Sequence, residues 1–181
     1  YTFNISPLSF YQVNPVQAEK LYMKALELAN FSKDDTIIDA YCGVGTIGMV
    51  LSKNVKEVIG VESNKTSVKC ARDNARDNKI KNISFVNQDA TEFLVDLAKE
   101  KVEIDGVIMD PPRSGSTPSF LNSLKKLKPK KIVYVSCNPA TLAKNINHLQ
   151  KEYMIRYVQP IDMFPHTAGV GCSAEMMSVR L

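Results

Sequence analysis

Apolar and polar positions along this chain follow two different periods. Short, nearly continuous apolar runs recur at Thr36–Ala40, Glu57–Glu62, Ile83–Asn87, 106–110 and Lys131–Ser136, which predicts strands buried on both faces. Between them, residues 46–53, 64–78, 91–99, 118–127 and 139–150 place apolar side chains at helical spacing. A further helix is expected ahead of the first strand. Asn14-Pro15-Val16-Gln17 supplies a cap, a proline at the first helical position and a glutamine able to reach back, and Ala18, Leu21, Ala25 and Leu28 form one apolar face running to about Asn30.

Strands apolar on both faces and separated by helices predict an α/β fold with a mostly parallel sheet wound on both sides. The end differs: residues 153–164 and 173–181 follow one another without a helix, which predicts an antiparallel C-terminal strand pair at the sheet's edge. Tyr1, Phe3 and Ile5 alternate like a strand entered partway, so residues 1–14 read as a lead-in strand or linker, the tail of an upstream domain if the chain is a fragment. Residues 15–181 read as one domain.

Composition narrows this little. The 181 residues are 44% hydrophobic and 23% charged, which excludes disordered and fibrous classes. A net charge of +4 permits an anionic partner without requiring one. No stretch suits a bilayer span and no signal peptide is evident, so a cytoplasmic monomer with no membrane partner is expected. The four cysteines, Cys42, Cys70, Cys137 and Cys172, share no CxxC or Cys/His spacing, so neither a zinc site nor a disulfide framework is expected. They suit a reducing cytosol.

In such a sheet, ligands bind at the carboxyl ends of the strands. The first strand ends Asp39-Ala40-Tyr41-Cys42, then Gly43-Val44-Gly45-Thr46-Ile47-Gly48 enters a helix; the glycines allow a tight turn and close approach of a ligand to the backbone. A dinucleotide would bring its pyrophosphate to this helix start, where the carboxylate of Asp39 would repel it. An ammonium-bearing ligand such as S-adenosylmethionine suits it better. Glu62 ends the second strand, where an acid accepts hydrogen bonds from ribose hydroxyls, and Asp89 follows the third, positioned to address an adenine amino group. Each acid could instead be a helix cap or a solvated strand end. Three at successive strand ends, beside the glycine loop, favour S-adenosylmethionine as cofactor.

The fourth strand ends Asp110-Pro111-Pro112-Arg113, where two prolines hold the flanking residues extended. The fifth ends Ser136-Cys137-Asn138-Pro139. With Asn138 as cap and Pro139 as first helical residue, Cys137 stands at the positive end of a helix dipole, which favours a nucleophilic thiolate. Cys42 and Cys70 fit the commoner role of small core residues.

These motifs, with Phe10-Tyr11-Gln12-Val13-Asn14 before them and Asp162-Met163-Phe164-Pro165-His166-Thr167 after, resemble in order those of the RNA 5-methyluridine methyltransferases, from about Phe10 to His166. The resemblance implies a Rossmann-like class I S-adenosylmethionine-dependent methyltransferase fold. It implies that Gln12, Tyr41, Thr46, Glu62, Asp89 and Asp110 join Asp39 and Gly43 at the cofactor, and that Cys137 attacks C6 of a uracil in ribosomal or transfer RNA so that C5 can accept a methyl group. Arg113 is a candidate to stabilise the enolate oxygen.

The chain departs from the family at the base, a glutamate shortly after Pro-His-Thr. Ungapped, that position is Gly171; with a four-residue insertion among 168–172 it is Glu175, the favoured candidate because loop insertions are cheap. Members of the family usually carry an N-terminal OB-fold RNA-binding domain, and many an iron–sulfur cluster. Neither is present here, so much of the RNA grip is expected to lie outside these residues. Lys125, Lys126, Lys128, Lys130 and Lys131 read as a solvated helix end more readily than as a phosphate contact. An N-methyltransferase of a base or small molecule, and a non-catalytic cofactor- or RNA-binding module, are competing readings; a nicotinamide oxidoreductase is disfavoured by Asp39.

Overall fold

A computed structural model describes Phe3, residues 14–162 and residues 170–178, the last as backbone with the side chain of Met176. Six helices, α1 (Pro15–Ala29), α2 (Thr46–Leu51), α3 (Lys65–Asp77), α4 (Ala90–Glu100), α5 (Pro118–Leu127) and α6 (Pro139–Leu149), alternate with strands β1 (Thr36–Ala40), β2 (Glu57–Glu62), β3 (Ile83–Asn87), β4 (Gly106–Met109) and β5 (Lys131–Ser136). β6 (Tyr153–Asp162) and β7 (Val170–Ser178) then follow without a helix between them.

The helix starts are written locally. Asn14, Asn64, Asp89, Thr117 and Asn138 cap α1, α3, α4, α5 and α6, each with its side chain accepting a backbone N–H of the first turn. The exception is α2, whose cap position is Gly45 and has no side-chain bond.

The sheet order is β3-β2-β1-β4-β5-β7-β6. Its first five strands are parallel; β7 runs antiparallel to β5, and β6 antiparallel to β7 at the edge. Strand alternation feeds a core on each face, and a smaller cluster of Cys42, Met49, Val68, Ala71, Ala75 and Phe85 lies under α3. Ile38, Ala40, Val107, Met109, Ile132 and Tyr134 pack with Leu94, Phe120, Leu124, Leu142 and Leu149 of α4, α5 and α6, while Ile37, Val58, Ile108, Val133 and Val135 pack with Leu21, Ala25 and Ile47 of α1 and α2. Both faces are therefore covered, as continuous apolar strands require.

The last strand differs from expectation. It begins at Val170 rather than Ser173, because pairing of Asp162 with Val170 and Ile161 with Gly171 carries the ladder back through residues that show no apolar alternation. Residues 163–164 and 179–181, and the expected strand at Tyr1 and Ile5, lie outside the described residues. The lysine group also takes a structural place. It surrounds the amino end of β5, opposite Cys137: Lys130 pairs with Asp105 at 2.6 Å, Lys125 with Glu152 at 3.7 Å, and Lys131 donates to the carbonyls of Ala29 and Asn30 at the end of α1.

Candidate active site

The strand order reverses between β1 and β4, and ligands of open α/β sheets bind in the crevice beyond the carboxyl ends at such a switch. Two loops, residues 41–45 and 110–117, leave the sheet there.

The first loop is shaped by left-handed backbone at Tyr41 (φ 63°), Gly43 (φ 55°) and Gly45 (φ 83°). A Cβ on Gly45 would stand 2.7 Å from the Phe85 ring and 2.9 Å from Met49, whereas one on Gly43 would meet nothing within 4 Å. Gly45 is thus the packed side of the loop and Gly43 its open side. Tyr41 tolerates its backbone because its ring lies 5.5 Å from that of Phe120 and its hydroxyl donates to Ser116 Oγ at 3.2 Å.

The acids at the strand ends hold this loop. Asp39 Oδ2 accepts the Gly48 N–H at 2.8 Å, supplying from β1 the cap that α2 lacks. Asp39 is 1% exposed, so it works from beneath the loop and not on its open side. Burial pushes its carboxyl up to about 7, opposed by the Gly48 N–H and reinforced by Asp110 and Glu62. Glu62 accepts the Gly43 N–H at 3.2 Å through one oxygen and the Asn64 N–H at 2.7 Å through the other, bridging the loop to α3. Asp89 accepts the N–H groups of Thr91 and Glu92 at 2.8 and 3.2 Å. Thr46 opens α2 and is half-buried.

Asp110 follows β4, half-buried. Burial pushes its carboxyl up to about 7 as well, against a long hydrogen bond of 3.5 Å donated by the Tyr22 hydroxyl of α1. Beyond it, Arg113 is exposed and its backbone carbonyl accepts from Thr141 Oγ1 at 3.0 Å and Asn138 Nδ2 at 3.4 Å. Cys137 stands between the end of β5 and the cap of α6 and is exposed. The turn around it is closed by Ser136, whose hydroxyl donates to the Asn138 carbonyl at 3.0 Å and accepts the Asn138 N–H at 3.1 Å. Cys42 is buried, with its thiol pushed up by burial first and then by Asp39 and Glu62, and Cys70 is half-buried.

Asp39, Tyr41, Gly43, Thr46, Glu62, Asp89, Asp110, Arg113 and Cys137 thus all occupy the carboxyl ends of β1 to β5. Glu175 is placed differently. The register pairs it with Val133, and Cys172 is the residue opposite Ser136. Its backbone therefore lies three strand positions, about 10 Å, toward the amino end of β5, and Gly171 and Cys172 occupy the level nearer Cys137. Gln12 and His166 lie outside the described residues. Tyr22 and Asn145 belong to none of the sequence motifs. Asn145 lies three residues after Leu142 and four before Leu149, an amide on an apolar helix face, and that mismatch was the available signal.

A doubly wound sheet with a glycine loop and acids at its switch point defines a class I S-adenosylmethionine-dependent methyltransferase domain, and the solved structures agree. The tRNA (uracil-54, C5)-methyltransferase of Pyrococcus abyssi, solved with S-adenosyl-L-homocysteine, superposes with a TM-score of 0.81 at 37% identity, over 97% of this chain and 42% of that one. The precorrin-6y C5,15-methyltransferase of Geobacter metallireducens, at 17% identity, TM-score 0.76, and coverage of 97% and 95%, shares the fold alone. The chain belongs to the tRNA (Uracil-5-)-methyltransferase family, whose model matches residues 1–178. An uncharacterized RNA methyltransferase of Clostridium tetani is 45% identical over 94% of this chain and 37% of its own length, and one of Oceanobacillus iheyensis 45% identical over 97% and 38%. The chain therefore spans well under half of these relatives.

Proposed function

We propose that this chain carries out S-adenosylmethionine-dependent methyl transfer to C5 of a uridine in RNA, through a covalent bond between Cys137 and C6. The observation that carries the reading is the exposed Cys137 thiol, set between β5 and α6 and next to Asn138, whose side-chain amide donates to the Arg113 carbonyl. The donor set suits the cofactor. Gly43 offers open backbone, Glu62 and Asp89 offer carboxylates beside it, and Asp110 adds another at the switch point; with Gln12, Tyr41 and Thr46 these residues would hold it, over a loop that Asp39 supports. When bound, S-adenosylmethionine supplies an electrophilic methyl group.

The chain's own residues do the rest. The Cys137 sulfur adds as thiolate to uracil C6, and the electron pair displaced from the C5–C6 bond gives C5 enolate character. Arg113 carries the charge that develops on the enolate oxygen. Once C5 is methylated, a base removes the C5 proton, the C5–C6 double bond re-forms and the thiolate leaves. Glu175 is the acid the family motif nominates for that base, although its register lies below the level of Cys137. Because the chain spans 37–38% of its relatives, much of the grip on ribosomal or transfer RNA is assigned to the remainder of the full-length protein, an OB-fold domain being the expected form.

RNA containing 5-fluorouridine tests this, since fluorine at C5 cannot be removed as a proton and the adduct is trapped. A stable protein–RNA complex is expected with the native residue and none with Cys137→Ala, which should keep its cofactor affinity within about twofold. Methylation by Cys137→Ala would overturn the reading in favour of an exocyclic nitrogen acceptor. On ordinary RNA, Glu175→Gln should accumulate the adduct if Glu175 is the base; full product release would move that role elsewhere.

A further inference from the structure

We propose that Asn145 is a positioning residue for the reaction: it clamps the Arg113 loop to the helix that begins beside Cys137, so that both move as one body. The proposal rests on the methyl-transfer reading for its consequence but on geometry for its existence. Asn145 lies in the second turn of α6 and is 6% exposed. Its Oδ1 accepts the Ser116 N–H at 2.9 Å and the Tyr134 hydroxyl at 2.8 Å, filling both lone pairs, while its Nδ2 donates to the Ser116 carbonyl at 3.5 Å. One buried amide thus grips both backbone groups of a loop residue.

The surroundings are built around this grip. Gly115 adopts φ 80°, and a Cβ there would stand 2.7 Å from Asn145 Oδ1 and 3.3 Å from Thr141. Ser116, itself buried, turns its hydroxyl to Tyr41 on the cofactor loop, and Thr141, one turn earlier on α6, binds the Arg113 carbonyl. The chain Tyr41–Ser116–Asn145–Tyr134 therefore joins the cofactor loop, the Arg113 loop, α6 and β5, with Ser116, Asn145 and Tyr134 buried and Tyr41 half-buried. Loosening its centre frees the loop that carries Arg113 without removing any group that touches substrate. Displacements of about 1 Å in such a loop are enough to cost roughly 10²-fold in rate.

The experiment uses the full-length protein and two readouts. Amide hydrogen exchange at Ser116 should accelerate at least about 30-fold in Asn145→Ala while the β1, β4 and β5 amides stay protected. At pH 6, Asn145→Asp, whose carboxyl burial keeps protonated so that it accepts from the same two donors and donates to the Ser116 carbonyl, should stay within about threefold of native. In the methylation assay, kcat should fall about 30-fold in Asn145→Ala with cofactor affinity changed no more than about threefold, and Asn145→Asp should restore it. Ile146→Ala, a neighbour on α6 that packs on the core, is the control for stability alone and should leave kcat unchanged. If Asn145→Ala does not fold, Asn145→Ser, too short to reach Ser116, reads the same loss. Unchanged exchange at Ser116, an equal loss of kcat in Ile146→Ala at matched stability, or no rescue by Asn145→Asp overturns the clamp. Lack of methylation by the native full-length protein overturns the functional reading instead, and the exchange measurement still decides the clamp.

Discussion

The carboxyl ends of β1 to β3 and those of β4 and β5 are built on opposite plans. In the first half the charged side chains are themselves the framework: Asp39 caps α2, Glu62 ties the glycine loop to α3, and Asp89 caps α4. In the second half neutral side chains form the framework, with Asn138, Thr141 and Asn145 holding backbone carbonyls and N–H groups, while Arg113 and Cys137 are left exposed. A surface that must recognise a ligand of fixed shape can merge recognition with scaffold. A surface whose groups form and break a bond needs them free of structural duty, and the exposed Cys137 thiol meets that requirement of the role proposed for it.

The largest effect that tests this division lies in the glycine loop. Gly45→Ala forces a Cβ to within 2.7 Å of the buried Phe85 ring at φ 83° and should cost about 2–4 kcal/mol of stability. Gly43→Ala pays only for its left-handed backbone, about 1 kcal/mol, but puts a methyl group on the open side. Thermal unfolding and titration calorimetry with S-adenosylmethionine should therefore separate them: Gly45→Ala is the stability variant, Gly43→Ala the affinity variant. Equal losses in both would erase the distinction between the packed and the open side.

The next effect concerns charge. Asp39 and Asp110 have folded pKa values of about 7 against an ordinary 3.8, so between those values the folded chain holds protons that the unfolded chain releases. Their contribution to stability is then greatest below about pH 4, is lost as pH rises, and levels off above about 7. Asp39→Asn keeps an acceptor for Gly48 and removes one such group. Its stability relative to the native chain should improve from pH 5 to pH 8 by on the order of 2 kcal/mol, seen as a change in denaturation midpoints. A pH-independent difference would mean that Asp39 is charged in the folded chain.

The contrast also explains what the sequence made legible. β1 to β5 and the caps Asn14 and Asn138 are local signals, each decided within four or five residues, and their positions agree with the structure to within about two residues. The placement of the strand-end motif residues was legible for the same reason, since each lies at or directly after the carboxyl end of a strand that local sequence defines. The register of β7 was not. It depends on a partner strand, and Gly171, Cys172 and Ser173 offer no apolar alternation to fix it, so the expected start fell three residues late and the level of Glu175 along β5 could not be foreseen. Asn145 required knowing what faces α6. The working site of Asp39 was likewise hidden, because a carboxylate at a strand end looks the same whether it points at a ligand or under a loop.

The smallest effect is the most discriminating. Asp89 and Asn138 make equivalent caps, each with one oxygen accepting two N–H groups of a first turn, and replacing either by Ala should cost about 1 kcal/mol. With stability matched, only function separates them. Asp89→Ala removes a carboxylate from the half where scaffold and recognition coincide, so cofactor affinity should fall while trapping of 5-fluorouridine RNA at saturating cofactor stays near native. Asn138→Ala also loses its bond to the Arg113 carbonyl, so affinity should hold while the rate of adduct formation falls several-fold. The same functional loss from both caps would mean that the two ends of the sheet work as a single rigid surface, and the division between a binding half and a reacting half would have no mechanical basis.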